Sequence, residues 1–535
     1  MTHRLLIAAA IGALTLLNYF QFPGHTYLQA DTQIYIPILE HLWDPGVLAD
    51  DLLVQKPHVS FTLYDEAAAA LRKLTGLPFG DVLAGEQVAF RALGIWGLYL
   101  IASAAGLSVG ASLLVTAIVS LGATISGPAV LSFEYEPTPR GFALPLVFLA
   151  TGLVAHGRYL AGALAGSAAF LLHAPTTYPF WAVYTCLALR PAKASKLYGL
   201  AALLGAFVLL WIASLSQSGG AQVQTFLARL DPQQESLQRM RASYVWISIW
   251  APLWMLHYVF LYAVTLVGVS RLRNVLSPDL RFFAIGLPLV GMLSFPVSYL
   301  MLEKMKLALT PQLQPLRAVL FITVTAALLA GIAACVAVRE NRYWEAIPWL
   351  ALAYLIPANN RVSELPSPNR ILLVLALAGM ALGALWADYR RRNWVVAVAA
   401  VAAFFVIPIY GKVTNYPALH NAELDELCAW ALSSTPKTAV FLFPDAGREL
   451  QPGVFRAEAL RTVYVDWKSG GQVNYFKDFG EQWWSRWQDV MAKPADPSKL
   501  ASRGIDFMVL KSEHKLGGRV PAFENSRFAV YTTAP

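Results

Sequence analysis

The sequence predicts an α-helical polytopic membrane protein, with about thirteen transmembrane helices and a small extracytoplasmic α/β C-terminal domain. Three observations carry this fold class. Of 535 residues, 57% are hydrophobic and only 14% charged, and mean hydropathy is +0.50. Long apolar runs recur across residues 1–412, and residues 413–535 turn polar with strand-like alternation. Such a composition excludes a disordered chain, a collagen-like fibre and an ordinary cytosolic enzyme. The net charge of +8 sits in short clusters between apolar runs. Orientation in a membrane explains those clusters better than nucleic acid does, so no nucleic-acid partner is expected. Cys186, Cys335 and Cys428 are too scattered for a disulfide framework or a cysteine zinc site.

A membrane helix needs roughly 20 mostly apolar residues. Stretches of that kind fall near 4–21, 86–105, 108–127, 140–156, 158–173, 176–190, 196–216 and 246–269. Five more follow near 281–301, 315–338, 343–357, 370–387 and 393–410. Tyr19-Phe20-Gln21-Phe22 stands where a signal peptide would need small residues, so the first stretch reads as an uncleaved anchor. With the N-terminus cytoplasmic, the inner loops hold Arg158, then Arg190, Lys193 and Lys196, then Arg271, Arg273 and Arg281. Arg339 and Arg342 and then Arg390, Arg391 and Arg392 continue the series, opposed by Asp279, Glu340 and Asp388. This positive-inside pattern places the first long loop and the C-terminal domain outside the cytoplasm.

Three polar regions interrupt the apolar pattern. In the outer loop 22–85, Phe61, Tyr64, Ala68, Leu71 and Leu74 recur at helical spacing, with Asp65, Glu66, Arg72 and Lys73 on other faces. That helix suits the membrane surface, and Ile34, Ile38 and Leu42 mark another after Asp31. Residues 217–245, opened by Gly219-Gly220, read as a mobile loop with a short polar helix. In the C-terminal region, strands are expected at 438–443, 462–466, 505–510 and 528–531, with helices at 420–433 and 476–491.

Ionisable groups at a membrane boundary are expensive to bury, and so are informative. Gln29-Ala-Asp31-Thr-Gln-Ile-Tyr35 follows the first span, and Phe133-Glu134-Tyr135-Glu136-Pro-Thr-Pro-Arg140 lies between the third and fourth. Both fall on the outer side, where two carboxylate sites are suited to take a hydroxyl proton or share a divalent metal. Solitary acids at such places also serve as helix caps. Arg361 and Arg370 flank an outer loop, Lys304, Lys306 and Arg317 sit in the preceding one, and all are suited to a phosphate or to loop acids such as Glu303 and Glu364. His173, before Pro175, is a candidate sugar or phosphate contact, or a backbone partner at a proline-broken turn. Trp246, Trp250 and Trp254 fit an aromatic belt. Val465-Asp466-Trp467-Lys468 follows a strand, and Trp483, Trp484 and Trp487 share a helix, placed either to stack on a sugar or to pack. His25, His41 and His58 lack zinc spacing, and no Gly-rich nucleotide loop or serine elbow is present in the sequence.

The plan of a helical bundle, a long first outer loop with Asp31, a second acid at Glu134 or Glu136 and an outer C-terminal domain resembles GT-C glycosyltransferases. The resemblance implies a sugar moved from a polyprenyl-phosphate-linked donor to an extracytoplasmic glycan, lipid or protein acceptor. It implies Asp31 as base or metal ligand, with Glu134 and Glu136 as partners; whether a metal takes part is left open, and Mg or Mn held by Asp31 and Glu134 is the form it would take. Arg140, His173, Arg361 and Arg370 would then bind substrate. The sequence departs from the Trp-Trp-Asp of oligosaccharyltransferases at Trp483-Trp484-Ser485. A transporter or flippase of lipid-linked glycans, with ionisable groups deep in its spans, is the alternative. So is a non-catalytic scaffold with a glycan-binding outer domain.

Overall fold

The computed structural model describes residues 2–55, 62–190, 194–217, 227–359, 361–390, 393–411, 419–491 and 497–533. The Gly219-Gly220 loop opening, Lys56, His58, Lys193, Asn360, Arg391 and Arg392 lie outside the described residues. Six helices among those described are long and apolar enough to cross a membrane: Ser195–Leu215, Pro252–Arg271, Pro278–Lys304, Thr310–Arg339, Pro368–Tyr389 and Trp394–Gly411. Arg4–Phe20, Val109–Ser120 and Pro139–Ala155 are apolar but shorter. The remaining expected spans fall in helices Phe79–Ser103, Tyr159–Ala188 and Tyr343–Ala358.

Helix Leu320–Arg339 runs through the centre, buried on every face. Its Ala326, Ala327, Ala330, Gly331, Ala333, Ala334 and Ala337 let neighbours approach closely, which dispersion rewards where lipid offers no hydrophobic contrast. The same logic joins helices Phe79–Ser103 and Pro139–Ala155, where a Cβ on Gly97 would stand 2.3 Å from the Leu149 backbone nitrogen. At the periphery, Leu204, Phe207, Trp211, Ile212 and Leu215 expose a continuous apolar face that only lipid would cover.

The expected spans 158–173 and 176–190 are two limbs of one folded helix, Tyr159–Ala188. At His173 the backbone is extended (φ −161°, ψ 89°), and the chain folds back until Trp181 Nε1 donates to the Gly166 carbonyl at 3.2 Å. Pro175 has no N–H to continue the ladder, so the Leu171 and Leu172 carbonyls need other donors. The first long loop supplies them, through Leu63 N–H and Thr62 Oγ1, both at 2.8 Å. That loop carries the two expected helices, Thr32–Trp43 and Tyr64–Thr75. Asp65, expected on a polar face, is instead buried with Tyr64 and Ala68.

The C-terminal residues form a five-stranded sheet in the order β4 (Thr462–Val463), β3 (Val440–Leu442), β5 (Phe507–Lys511), β7 (Phe528–Thr532), β6 (Phe523–Glu524). β1 (Thr124–Ile125) and β2 (Val130–Leu131) make a small hairpin in the bundle. β3 is parallel to β4 and β5, while β7 is antiparallel to β5 and β6. Strand alternation divides the sheet's two faces. Phe441, Val509 and Val530 continue the bundle core, and Leu442, Met508, Leu510 and Tyr531 close a second core with Phe479 and Trp483. The sheet therefore packs onto the bundle without a break in apolar contact.

At the opposite end from the sheet, the basic loops find acids. Arg271 pairs with Glu340 at 2.6 Å and Glu345 at 2.5 Å, and Lys196 pairs with Asp279 at 3.1 Å.

Candidate active site

The site is built on the N-terminus of helix Thr32–Trp43, where the first backbone N–H groups have no intrahelical partner. Glu136 satisfies the first of them, at Thr32, together with two N–H groups of the loop before the helix. Its Oε1 accepts from the Gln29 and Ala30 N–H groups at 2.7 Å and from Thr32 Oγ1 at 2.9 Å, and Oε2 accepts from Thr32 N–H at 3.0 Å. Burial, then the Asp31 charge, push the Glu136 carboxyl up, against the pull of these N–H donors. Expected as a reacting partner, Glu136 instead spends its oxygens on the loop that aims Asp31.

Arg140 reaches the same place from the start of helix Pro139–Ala155. Thr138 caps that helix through Gly141 N–H, and Pro139 occupies its first turn. Arg140 Nη1 donates to Asp31 Oδ2 at 2.6 Å, and its Nε donates to Glu134 Oε1 at 2.7 Å. Asp31 and Glu134 thus converge as the sequence suggests, but with a guanidinium between them. Lys468, from the C-terminal sheet region, donates to the other oxygen, Asp31 Oδ1, at 2.7 Å. Burial opposes the Asp31 charge, but Lys468 and then Arg140 override it and hold the carboxyl well below the usual carboxylate range.

A shared divalent metal does not fit this donor set. Asp31 and Glu134 both carry Arg140 nitrogens, and among the described residues no group of three or more His, Cys, Asp or Glu is placed to hold a metal ion.

Tyr35, Tyr244, Tyr475 and Arg317 surround the ion pairs closely enough to be electrostatically coupled to Asp31 or Arg140. Gln314, held in the left-handed region (φ 47°), donates to the Tyr475 hydroxyl at 3.4 Å. Arg317 Nη1 lies 2.9 Å from His173 Nε2, and its buried Nε has no hydrogen-bond partner among the described residues. The His173 Nδ1 accepts from Thr176 N–H at 3.1 Å, so the ring is fixed by the fold of its own helix.

Beside Arg317 and His173 opens an apolar cleft of about 620 Å³. Its walls include Phe170, Ala174, Phe207, Trp211, Leu293 and Pro315. Ala174 follows His173, and Pro315 lies two residues before Arg317. The cleft wall itself is apolar; Pro315 is shared with a small void lined by Tyr244 and Arg317, and Arg317 also lines a second void with Glu134 and Arg140.

Arg361 and Arg370 are not brought to this cluster. Arg361 pairs with Glu364 at 2.6 Å, and Arg370 donates to Asn359 Oδ1 at 2.9 Å and the Gly411 carbonyl at 3.2 Å. Local loop partners outcompete a distant site for both. Trp246 and Trp250 are buried rather than belted, Trp246 beside Leu302 and Trp250 against Phe295. Trp483 is the buried centre of a Trp467, Trp484 and Trp487 cluster. Lys468, Tyr475, Tyr244 and Gln314 are the site members that sequence reasoning missed. The Val465-Asp466-Trp467-Lys468 run after a strand was the one available signal.

Residues 422–490, which carry Lys468 and Tyr475, match the model of a domain of unknown function, DUF6798. No curated protein matches the chain. Among solved structures, arabinofuranosyltransferase AftD from Mycobacteria aligns with 95% of this chain at 16% identity and a TM-score of 0.43. This chain spans only 35% of AftD. ArnT from Cupriavidus metallidurans in the apo state aligns over 99% of this chain and 98% of its own, at 11% identity and TM-score 0.47. An Archaeoglobus fulgidus oligosaccharyltransferase covers 95% of this chain, and the match spans 69% of that chain, at 10% identity and TM-score 0.40. All three are GT-C membrane glycosyltransferases, the superfamily that the sequence resembles. At these TM-scores the likeness assigns this chain no activity.

Proposed function

We propose that the chain is a membrane glycosyltransferase that moves a sugar from a polyprenyl-phosphate-linked donor to an acceptor outside the cytoplasm. The observation that carries this reading is the apolar cleft whose wall residue Pro315 also borders a void lined by Arg317, which shares a second void with Arg140, the partner of the partly exposed Asp31 carboxylate. A prenyl chain needs an apolar groove open to lipid, and its phosphate needs cations at the groove's end. Arg317 and Arg140 line one void, and Arg140 holds Asp31, so the sugar and the acceptor would meet there.

In this reading the acceptor hydroxyl gives its proton to Asp31 as its oxygen bonds the anomeric carbon. The bond from that carbon to the phosphate oxygen breaks, its electron pair leaves with the phosphate, and Arg317 balances the developing charge. Glu136 holds the Asp31 loop, and Glu134 fixes Arg140. The charge bias of the loops supports placing this end outside the cytoplasm. The flippase reading expects ionisable groups deep in the spans, whereas the acids of this cluster sit at one rim of the bundle.

The test compares cell-envelope glycans by mass spectrometry in a deletion strain complemented with wild-type chain or with Asp31→Asn, at matched expression. The expected result is a sugar missing without the protein, restored by wild type and not by the variant. Full restoration by Asp31→Asn would defeat the proposal.

A further inference from the structure

We propose that Lys468 is a charge-exchange latch, a positioning residue from the C-terminal sheet region that covers Asp31 until a lipid phosphate draws its ammonium away. The inference rests on the glycosyltransferase reading and adds a residue and a regulation to it. Both Asp31 oxygens are occupied by cations, Oδ1 by Lys468 at 2.7 Å and Oδ2 by Arg140 at 2.6 Å. For Asp31 to accept a hydroxyl proton, one cation must leave.

The two cations are not equally free. Arg140 is also bound to Glu134, through Nε at 2.7 Å and Nη2 at 3.3 Å. Among the described residues, Asp31 is the one hydrogen-bond and ion-pair partner of the Lys468 ammonium. Both members of that pair retain solvent contact, at 18% and 28% exposure. A single charged contact of this kind, on a flexible four-carbon stem, exchanges readily.

The backbone beneath Lys468 is held firmly, so the ammonium swings from a fixed base. Asp466 Oδ2 accepts from Ser469 N–H at 3.1 Å, and the Asp466 carbonyl accepts from Trp483 Nε1 at 2.9 Å. Asp466 is itself tied to Arg456 at 2.5 Å, in an ion pair only 1% exposed. Moving the ammonium onto phosphate uncovers Oδ1 for the acceptor and supplies positive charge to the leaving group. The groups facing this exchange from other elements are Tyr35, Tyr135, Glu136, Arg140, Tyr244, Tyr475 and, through its charge, Arg317. The base would then be exposed only when the donor is bound.

The sign of one substitution tests the latch. Binding of undecaprenyl phosphate and of undecaprenol to the full-length chain in detergent micelles is measured for wild type and for Asp31→Asn, Lys468→Gln, Lys468→Arg and the Asp31→Asn/Lys468→Gln pair. Asp31→Asn frees the ammonium, and is expected to tighten undecaprenyl phosphate binding by about fivefold, the scale of one partly exposed ion pair. The gain should vanish in the double variant, which separates release of Lys468 from release of Arg140. Lys468→Gln should bind more weakly, and Lys468→Arg should restore binding. If wild type prefers the phosphate but Asp31→Asn binds no tighter, or the gain survives in the double variant, the latch is overturned and the lipid-phosphate reading stands. If wild type does not distinguish undecaprenyl phosphate from undecaprenol, both fall.

Discussion

At the scale of single residues, an acid's role is decided by how many donors surround it. Glu136 meets three backbone N–H groups and a threonine hydroxyl, whereas Asp31 meets two cations and keeps its charge. The sequence places both acids at the same boundary but carries no sign of this difference, which depends on where backbone N–H groups point. Lys468 was less legible still, because 437 residues separate it from Asp31. Asp65 shows the same limit, since its helix is legible while its burial is not. Burial first, then the Glu66 charge, push its carboxyl up to about 8. The folded chain then retains a proton that the unfolded chain gives up near the ordinary carboxylate value, so folding loses stability as pH rises from about 4 to about 8. Asp65→Asn should flatten that slope in thermal unfolding followed across this range. An unchanged slope would assign it to another group.

At the scale of elements, the length of apolar runs was enough to locate the six described helices that can cross a membrane, because lipid and core select the same residue types. The helices of the first long loop were equally legible. The cleft was not, since it arises where the folded helix Tyr159–Ala188 meets helices Ala194–Gln217 and Pro278–Ser298. Proline at 175 and histidine at 173 hinted at a break, and the break is what brings the His173 ring to Arg317. Filling the cleft should therefore affect lipid binding more than chemistry. Leu293→Trp, on the cleft wall, is expected to raise KM for a polyprenyl-phosphate-linked donor about tenfold with kcat nearly unchanged. A fall in kcat at constant KM would place the cleft outside the donor path.

At the scale of the whole molecule, the C-terminal sheet is joined to the first long loop by one buried cation. Arg456 pairs with Asp51 at 2.7 Å and with Asp466 at 2.5 Å, and all three side chains are almost fully buried. Asp51 Oδ2 also accepts from Val463 N–H at 3.0 Å, so the first loop contacts β4 directly. Removing one member of such a group leaves unpaired buried charge. Arg456→Met should therefore destabilise the chain by about 3–5 kcal/mol. Limited proteolysis should then cut the C-terminal region sooner, and transfer should fail although Asp31 is intact. Wild-type resistance in the variant would show that docking of the sheet does not depend on this buried cation.

The central claim is that a sugar leaves a lipid phosphate at the Asp31 site, and lipid extracts test it most directly. Mass spectrometry of polyprenyl-phosphate-linked sugars would be compared in the deletion strain complemented with wild type or with Asp31→Asn. One lipid-linked sugar should accumulate in the deletion strain and with the variant, while the same sugar is missing from the envelope. A lipid-linked pool that is identical in all strains would contradict the claim.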